Sequence, residues 1–167
     1  MTIATLLQSL YDTDLAGQIR ESLIAFPCIE SVHVLAITLV VGTIAIVDLR
    51  LLGLASRERP VSRVAGDVLP LTWGAFVVAA LSGFLMFMSN APAYSHNRYF
   101  CAKLVLLGLA GINMAVFQLW VARDQSRWDT MLPTPRAVRI SAACSLSLWI
   151  LVIATGRWIG FTMLAGN

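Results

Sequence analysis

Glu30, His33, Lys103 and Arg157 are the residues of this chain whose types and positions could do chemistry. Each is an ionisable group inside, or at the rim of, a long apolar stretch. Such groups mark ligand sites, proton relays or ion pairs. Glu30 and His33 are three apart, so a helix presents them on one face. A rise of about 1.5 Å per residue puts His33 roughly 9 Å beyond Pro27. A neutral imidazole at that depth can bind a metal or a haem iron. His96, the other of the two histidines, lies in the short turn that leads into the stretch carrying Lys103. A helical bundle can bring ligands from such facing elements together. Lys103 and Arg157 are cations able to hold a carboxylate, a propionate, a phosphate or a quinone oxygen. The constellation points to haem b, with His33 as an axial ligand and His96 as a weaker second ligand. Lys103 and Arg157 are then propionate partners, and Glu30 lies at the rim. The bland alternative has His33 as an interhelical hydrogen bond, Lys103 reaching back to the surface and Glu30 paired with Arg157.

Sulfur offers a second chemistry. Cys28 and Cys101, with Met86, Met88 and Met163, fall towards the same end of the apolar stretches as His33. Soft sulfur with imidazole suits Cu(I). The cysteines have no Cys-x-x-Cys spacing, and both residue types are common apolar fillers. The third cysteine, Cys144, makes the number odd, so no disulfide framework follows. No phosphate loop, nucleophile–base pair or metalloprotease motif is present, and no residue is assigned a catalytic role. A third reading is a cofactor-free scaffold or partner-binding membrane protein with structural ion pairs alone.

The elements that must position these groups are legible in the composition. The chain has 167 residues, 58% hydrophobic and 13% charged, with a mean hydropathy of +0.78. A water-soluble domain of this size cannot cover that much apolar surface. Four stretches, about 27–52, 68–90, 99–122 and 138–165, reach the roughly 20 apolar residues that a helix needs to span a bilayer. They do not alternate polar with apolar residues, which excludes barrel strands. Short turns between them predict an all-α, antiparallel four-helix transmembrane bundle. Residues 1–26 form a separate piece. Apolar residues recur there at helical spacing, with Asp12, Asp14, Arg20 and Glu21 between them, as in an amphipathic segment on the membrane surface.

Basic residues set the orientation. Arg50, Arg57, Arg59 and Arg63 flank the first turn and Arg123, Arg127, Arg136 and Arg139 the third, against Arg98 alone in the second. Basic turns face the cytoplasm. Both termini are then extracytoplasmic, in a bacterial inner membrane, and the His33 site faces outward. The partners expected are the lipid bilayer and a membrane or periplasmic redox protein. Self-association is open to such a bundle. A net charge of +3 carries no nucleic-acid signal.

The stretch Phe26-Pro27-Cys28-Ile29-Glu30-Ser31-Val32-His33-Val34-Leu35 resembles the first-helix motif of the four-helix bacterial protoporphyrinogen oxidase and of copper-resistance D-type membrane proteins. Tyr99-Phe100-Cys101-Ala102-Lys103-Leu104-Val105-Leu106 is similar to a later helix of those proteins, in which a Lys opens an apolar run. The chain also resembles an uncharacterised family of bacterial four-helix membrane proteins. That family shares Glu-Ser-x-His on span one, Asp-Leu-Arg at its inner end and Gly-Arg-Trp in the last span. These stand here as Glu30-Ser31-Val32-His33, Asp48-Leu49-Arg50 and Gly156-Arg157-Trp158. The resemblance implies a haem-ligating His33 and a functional Lys103. The oxidase pattern has a further His downstream of the Lys. Asn113 and Gln118 occupy that helix here, which argues against protoporphyrinogen oxidation.

Overall fold

The computed structural model describes residues 2–164. Met1 of the expected surface segment, Ala165 of the expected last span and the C-terminal Asn167 lie outside them. The described residues contain helices and no strands. Two short helices, α1 (Ile3–Tyr11) and α2 (Asp14–Glu21), precede α3 (Ala25–Leu51) and α4 (Val61–Ser89). The short α5 (Ala91–His96) leads into α6 (Arg98–Val116), whose end loosens into a π-helical turn at Phe117–Val121 and a 3₁₀ turn at Ala122–Asp124. The four-residue α7 (Gln125–Trp128) and the long α8 (Arg136–Leu164) complete the chain. Four helical stretches are long and apolar enough to cross a membrane: Ala25–Leu51, Val61–Ser89, Arg98–Trp128 and Arg136–Met163. The chain is a multi-pass, all-α membrane protein. The second span begins seven residues earlier than apolarity alone indicates. Pro60 sets the helical φ at its start, and the turn before it is short.

The helices pack as two antiparallel hairpins, α3 with α4 and α6 with α8, joined where α3 meets α8. Apolar side chains face outward around the bundle, for example Leu35, Leu81, Val105 and Ile150. In lipid such residues do not drive the helices together, so small and polar contacts decide the pairing. Thr72 Oγ1 lies 2.8 Å from Thr43 Oγ1 and joins α4 to α3. Asn113 and Ser141 join α6 to α8 by two bonds. The Asn113 amide donates to the Ser141 carbonyl at 3.1 Å, and the Ser141 hydroxyl donates to Asn113 Oδ1 at 3.1 Å.

The face carrying the α3–α4 and α7–α8 turns is built around Arg50, whose side chain is fully buried. Its Nε donates to the Arg59 carbonyl at 2.7 Å and its Nη2 to the Asp129 carbonyl at 3.2 Å. One guanidinium thus ties both turns together. Helix α3 ends beside it in two reverse bonds, Gly53 N–H to the Arg50 carbonyl and Leu54 N–H to the Leu49 carbonyl. This closure needs a left-handed residue after the cap, and Gly53 supplies it at φ 73°. Helix α4 opens at Pro60, which has no side-chain acceptor, so Asp129 caps it from the other hairpin. The Asp129 carboxylate accepts from Ser62 N–H at 2.7 Å and from the Ser62 hydroxyl at 2.6 Å. Leu51, Val61, Trp128, Val138 and Ala142 form the apolar cluster beneath.

At the opposite, terminal face, α1 and α2 lie across the bundle. Thr13 caps α2, and Ala16 and Ile19 are buried. Arg20 donates to the Ser89 carbonyl at the end of α4, 3.0 Å away, with its guanidinium over the Tyr11 ring. Asn97 caps α6 by accepting from Tyr99 and Phe100 N–H, and its amide donates to Thr162 on α8 at 2.8 Å.

Two outcomes test the turn face. Gly53→Ala forces a Cβ into the left-handed region and to within 3.3 Å of Leu132. It should lower stability by about 1–2 kcal/mol, read by thermal unfolding in detergent. Asp129 gives a pH dependence. Partial burial acts to raise its pKa. The bonds from Ser62 and Gln125 and the Arg50 charge outweigh this and hold the carboxyl below its ordinary value. A depressed folded-state pKa stabilises the fold above the unfolded value and loses that contribution as pH falls through the folded one. Asp129→Ala should therefore unfold at a lower temperature than the parent at neutral pH. The gap should close as the buffer is taken below the ordinary carboxylate range.

Candidate functional site

His33 sits two turns into α3 and turns towards α4. Its Nδ1 lies 3.0 Å from Ser82 Oγ. The Ser82 hydroxyl is 2.6 Å from the Val78 carbonyl and 3.2 Å from the Ala79 carbonyl, which have no other role for it than to accept its hydrogen. With that hydrogen on a carbonyl, Ser82 Oγ is left to accept from His33 Nδ1–H, the tautomer that keeps the lone pair on Nε2. A partner that holds one ring nitrogen protonated is what orients an imidazole for ligation through the other. The ring fits because the next residue is Gly83. A Cβ built there would stand 2.8 Å from His33 Cε1, inside any real contact distance.

Lys103 approaches from α6, on the far side of the bundle. Its Nζ lies over Gly156 of α8, 3.7 Å from where a Cβ would be, and its charge reaches His33. Among the described residues one ion pair occurs, the exposed Arg59–Asp67 at 2.6 Å, so no carboxylate neutralises the half-buried Lys103. Helices α4 and α6 do not pack along their lengths. They meet at the terminal face, where Phe87 and Phe100 stack at 5.3 Å with Tyr94 beside them. Counted along their helices, both His33 and Lys103 lie further from the terminal face than this aromatic roof.

The other expected site residues lie around this pair rather than in it. Glu30 is exposed. It is near Tyr94, whose phenol is pushed up by burial and then by the Glu30 charge. Arg157 is exposed and lies over the Phe161 ring at 4.7 Å. No ion pair joins it to Glu30. His96 is exposed, with Nδ1 2.8 Å from the Pro92 carbonyl of its own helix. Cys28 and Cys101 are exposed, and the Cys101 thiol donates to the Ser95 carbonyl at 3.4 Å. Among the described residues no three His, Cys, Asp or Glu side chains converge as a metal-binding group.

Ser82, Gly83 and Gly156 were not among the expected site residues. A signal for the first two existed. Ser82 lies about as far from the end of α4 as His33 lies from the start of α3. In an antiparallel hairpin that places a polar–small pair at the level of the imidazole. Gly156 had no comparable signal, because its place under Lys103 depends on how the hairpins dock.

The chain belongs to the family of unknown function DUF6644, which it matches over residues 14–162. No curated protein and no solved structure matches it.

Gly83→Ala should turn the imidazole away and shift the ¹⁵N resonances of His33. Gly74→Ala, on the same helix with nothing within 4 Å of its new Cβ, should leave those resonances in place. Equal responses to the two changes would show that His33 does not rest on Gly83.

Proposed function

We propose that this protein binds haem b in the terminal-face half of its bundle and serves as an electron-transferring membrane subunit. The observation that carries the reading is the pairing of His33 Nδ1 with Ser82, which orients the imidazole within reach of the Lys103 charge. The donor set fits the group. The His33 imidazole, held by Ser82, would supply a ligand to the iron, and the Lys103 ammonium would suit a propionate. Bound haem would supply one-electron chemistry. The chain's own part is to hold His33 through Ser82 and Gly83, to offer Lys103 as a counter-charge and to keep bulk water out with the Phe87–Phe100–Tyr94 roof. The sequence resemblance to oxidase-like and copper-resistance proteins supports His33 and Lys103 in these roles. Arg157 and His96 are the outer reserve: Arg157 for a propionate near the surface, His96 for a second ligand if α5 shifts.

The orientation is part of the proposal. Arg50, Arg57, Arg59, Arg63, Arg123, Arg127, Arg136 and Arg139 lie in or beside the α3–α4 and α7–α8 turns. This bias supports a cytoplasmic turn face, with the haem site towards the outside of a bacterial inner membrane. A periplasmic or membrane redox protein is the natural partner at that face.

Protein expressed with haem available should show a Soret band and a reduced-minus-oxidised difference spectrum. His33→Ala should abolish both, and Lys103→Met should lower haem occupancy several-fold while leaving the apoprotein folded. A colourless parent protein overturns the reading, and copper recovered by metal analysis in its place would transfer the site to Cys28, Cys101 and His33. A reporter fused after Asn167 should be active on the outside of the cell; cytoplasmic activity would place the site at the inner face.

A further inference from the structure

A second polar group lies at the other end of α3, away from the site just described and independent of it. Asp48 is buried, 6% exposed, one turn before α3 ends at Leu51. Its Oδ2 is enclosed and has no hydrogen-bond partner. No cation stands within ion-pair distance of it. Arg50, two residues on, cannot face it, because positions two apart lie on opposite sides of a helix. The Arg50 guanidinium is instead held by the Arg59 and Asp129 carbonyls through Nε and Nη2, its enclosed Nη1 having no partner and forming no ion pair with Asp48. The flanking helices offer no substitute. On α8 the side chain facing Asp48 is Ser145, a neutral hydroxyl. Arg139 of α8 and Arg63 of α4 are exposed, and Asp67 of α4 is paired with Arg59.

An ionised carboxylate enclosed without a counter-charge is costly by far more than a neutral acid. Something positive must therefore join it. A metal cation needs several oxygen ligands, and no three acidic, His or Cys groups gather among the described residues. A proton needs one oxygen. We propose that Asp48 is a proton-binding site of the bundle, taking up and releasing a proton through the turn face. The step is a simple transfer. The O–H bond forms on the carboxyl as a proton leaves a hydronium or buffer acid of the adjacent aqueous phase, and the reverse returns it. Asp48 lies one turn from the end of α3, so the turn face is the nearer aqueous side. Further into the bundle α3 presents the Thr43 hydroxyl, bonded to Thr72, and then the buried Val40 and Ala36, so an apolar stretch lies between the site and the terminal face.

The test is infrared difference spectroscopy on the full-length protein in lipid nanodiscs, stepped between mildly alkaline and mildly acidic buffer. A carboxylic C=O band should grow on acidification and move to lower frequency in D₂O. It should move again with ¹³C-labelled aspartate, which needs no variant. Ser145→Ala should shift the band and Asp48→Asn should remove it, with size-exclusion profile and thermal midpoint showing both variants folded. A band that survives Asp48→Asn, or no band in the labelled parent protein, overturns the proposal. So does a band that fails to exchange in D₂O, which would mark a sealed acid. A carboxylate spectrum that responds to added sodium or calcium at fixed pH overturns it in favour of a metal-cation site.

Discussion

A bilayer offers no hydrogen-bond partner to a polar side chain, and that constraint organises this bundle. With lipid as apolar as the side chains it surrounds, burial of Leu or Val against a neighbour gains little. The polar groups decide who packs on whom. Thr43 meets Thr72 and His33 meets Ser82, which makes α3 and α4 one hairpin. Asn113 meets Ser141, which makes α6 and α8 another. Arg50 then locks both hairpins at the turn face by holding one carbonyl from each. Loss of any one pair leaves its partner stranded in a low-dielectric medium, so each pair specifies geometry beyond its own modest energy.

The candidate site follows from the same rule applied incompletely. Where two polar groups satisfy each other the result is structure, as at Thr43–Thr72. Where a group has more capacity than its partner uses, the surplus is what the proposed ligand site draws on. His33 gives one nitrogen to Ser82 and keeps the other. Lys103 lies over a glycine and has no carboxylate partner among the described residues. Asp48 shows the same imbalance at the other end of α3. The hairpins contribute one half of the His33–Lys103 pair each, and α4 stands apart from α6 beside it. Function in this reading belongs to the junction of two otherwise self-contained hairpins.

Asn113 illustrates how a departure from a resemblance acquires a physical meaning. Oxidase-like proteins carry a further His downstream of the Lys in this helix. Here Asn113 faces α8, and both ends of its amide are engaged by Ser141. The position stabilises the α6–α8 hairpin. Of the two histidines, His33 alone lies within a described span, and Asn113 adds no imidazole to it.

The sequence by itself determined the membrane class, the four spans, their antiparallel order and the amphipathic character of the first segment. These follow from hydropathy, span length and turn length, which are properties of local stretches. It also singled out His33 and Lys103, because an ionisable residue in an apolar run is conspicuous without any coordinates. The tertiary structure decided which of the conspicuous groups meet. Glu30 and Arg157 match in depth along their helices, yet Arg157 turns to Phe161 and Glu30 towards Tyr94. Helix rise gives a residue's depth, but the rotation of each helix gives its direction, and that rotation is set by contacts with other helices. For the same reason Gly156 emerged only in three dimensions, while Ser82 and Gly83, already at the level of His33 in an antiparallel hairpin, gained their role from the contact itself. A serine and two glycines are unremarked in a membrane helix until docking sets an imidazole against one glycine and an ammonium against the other.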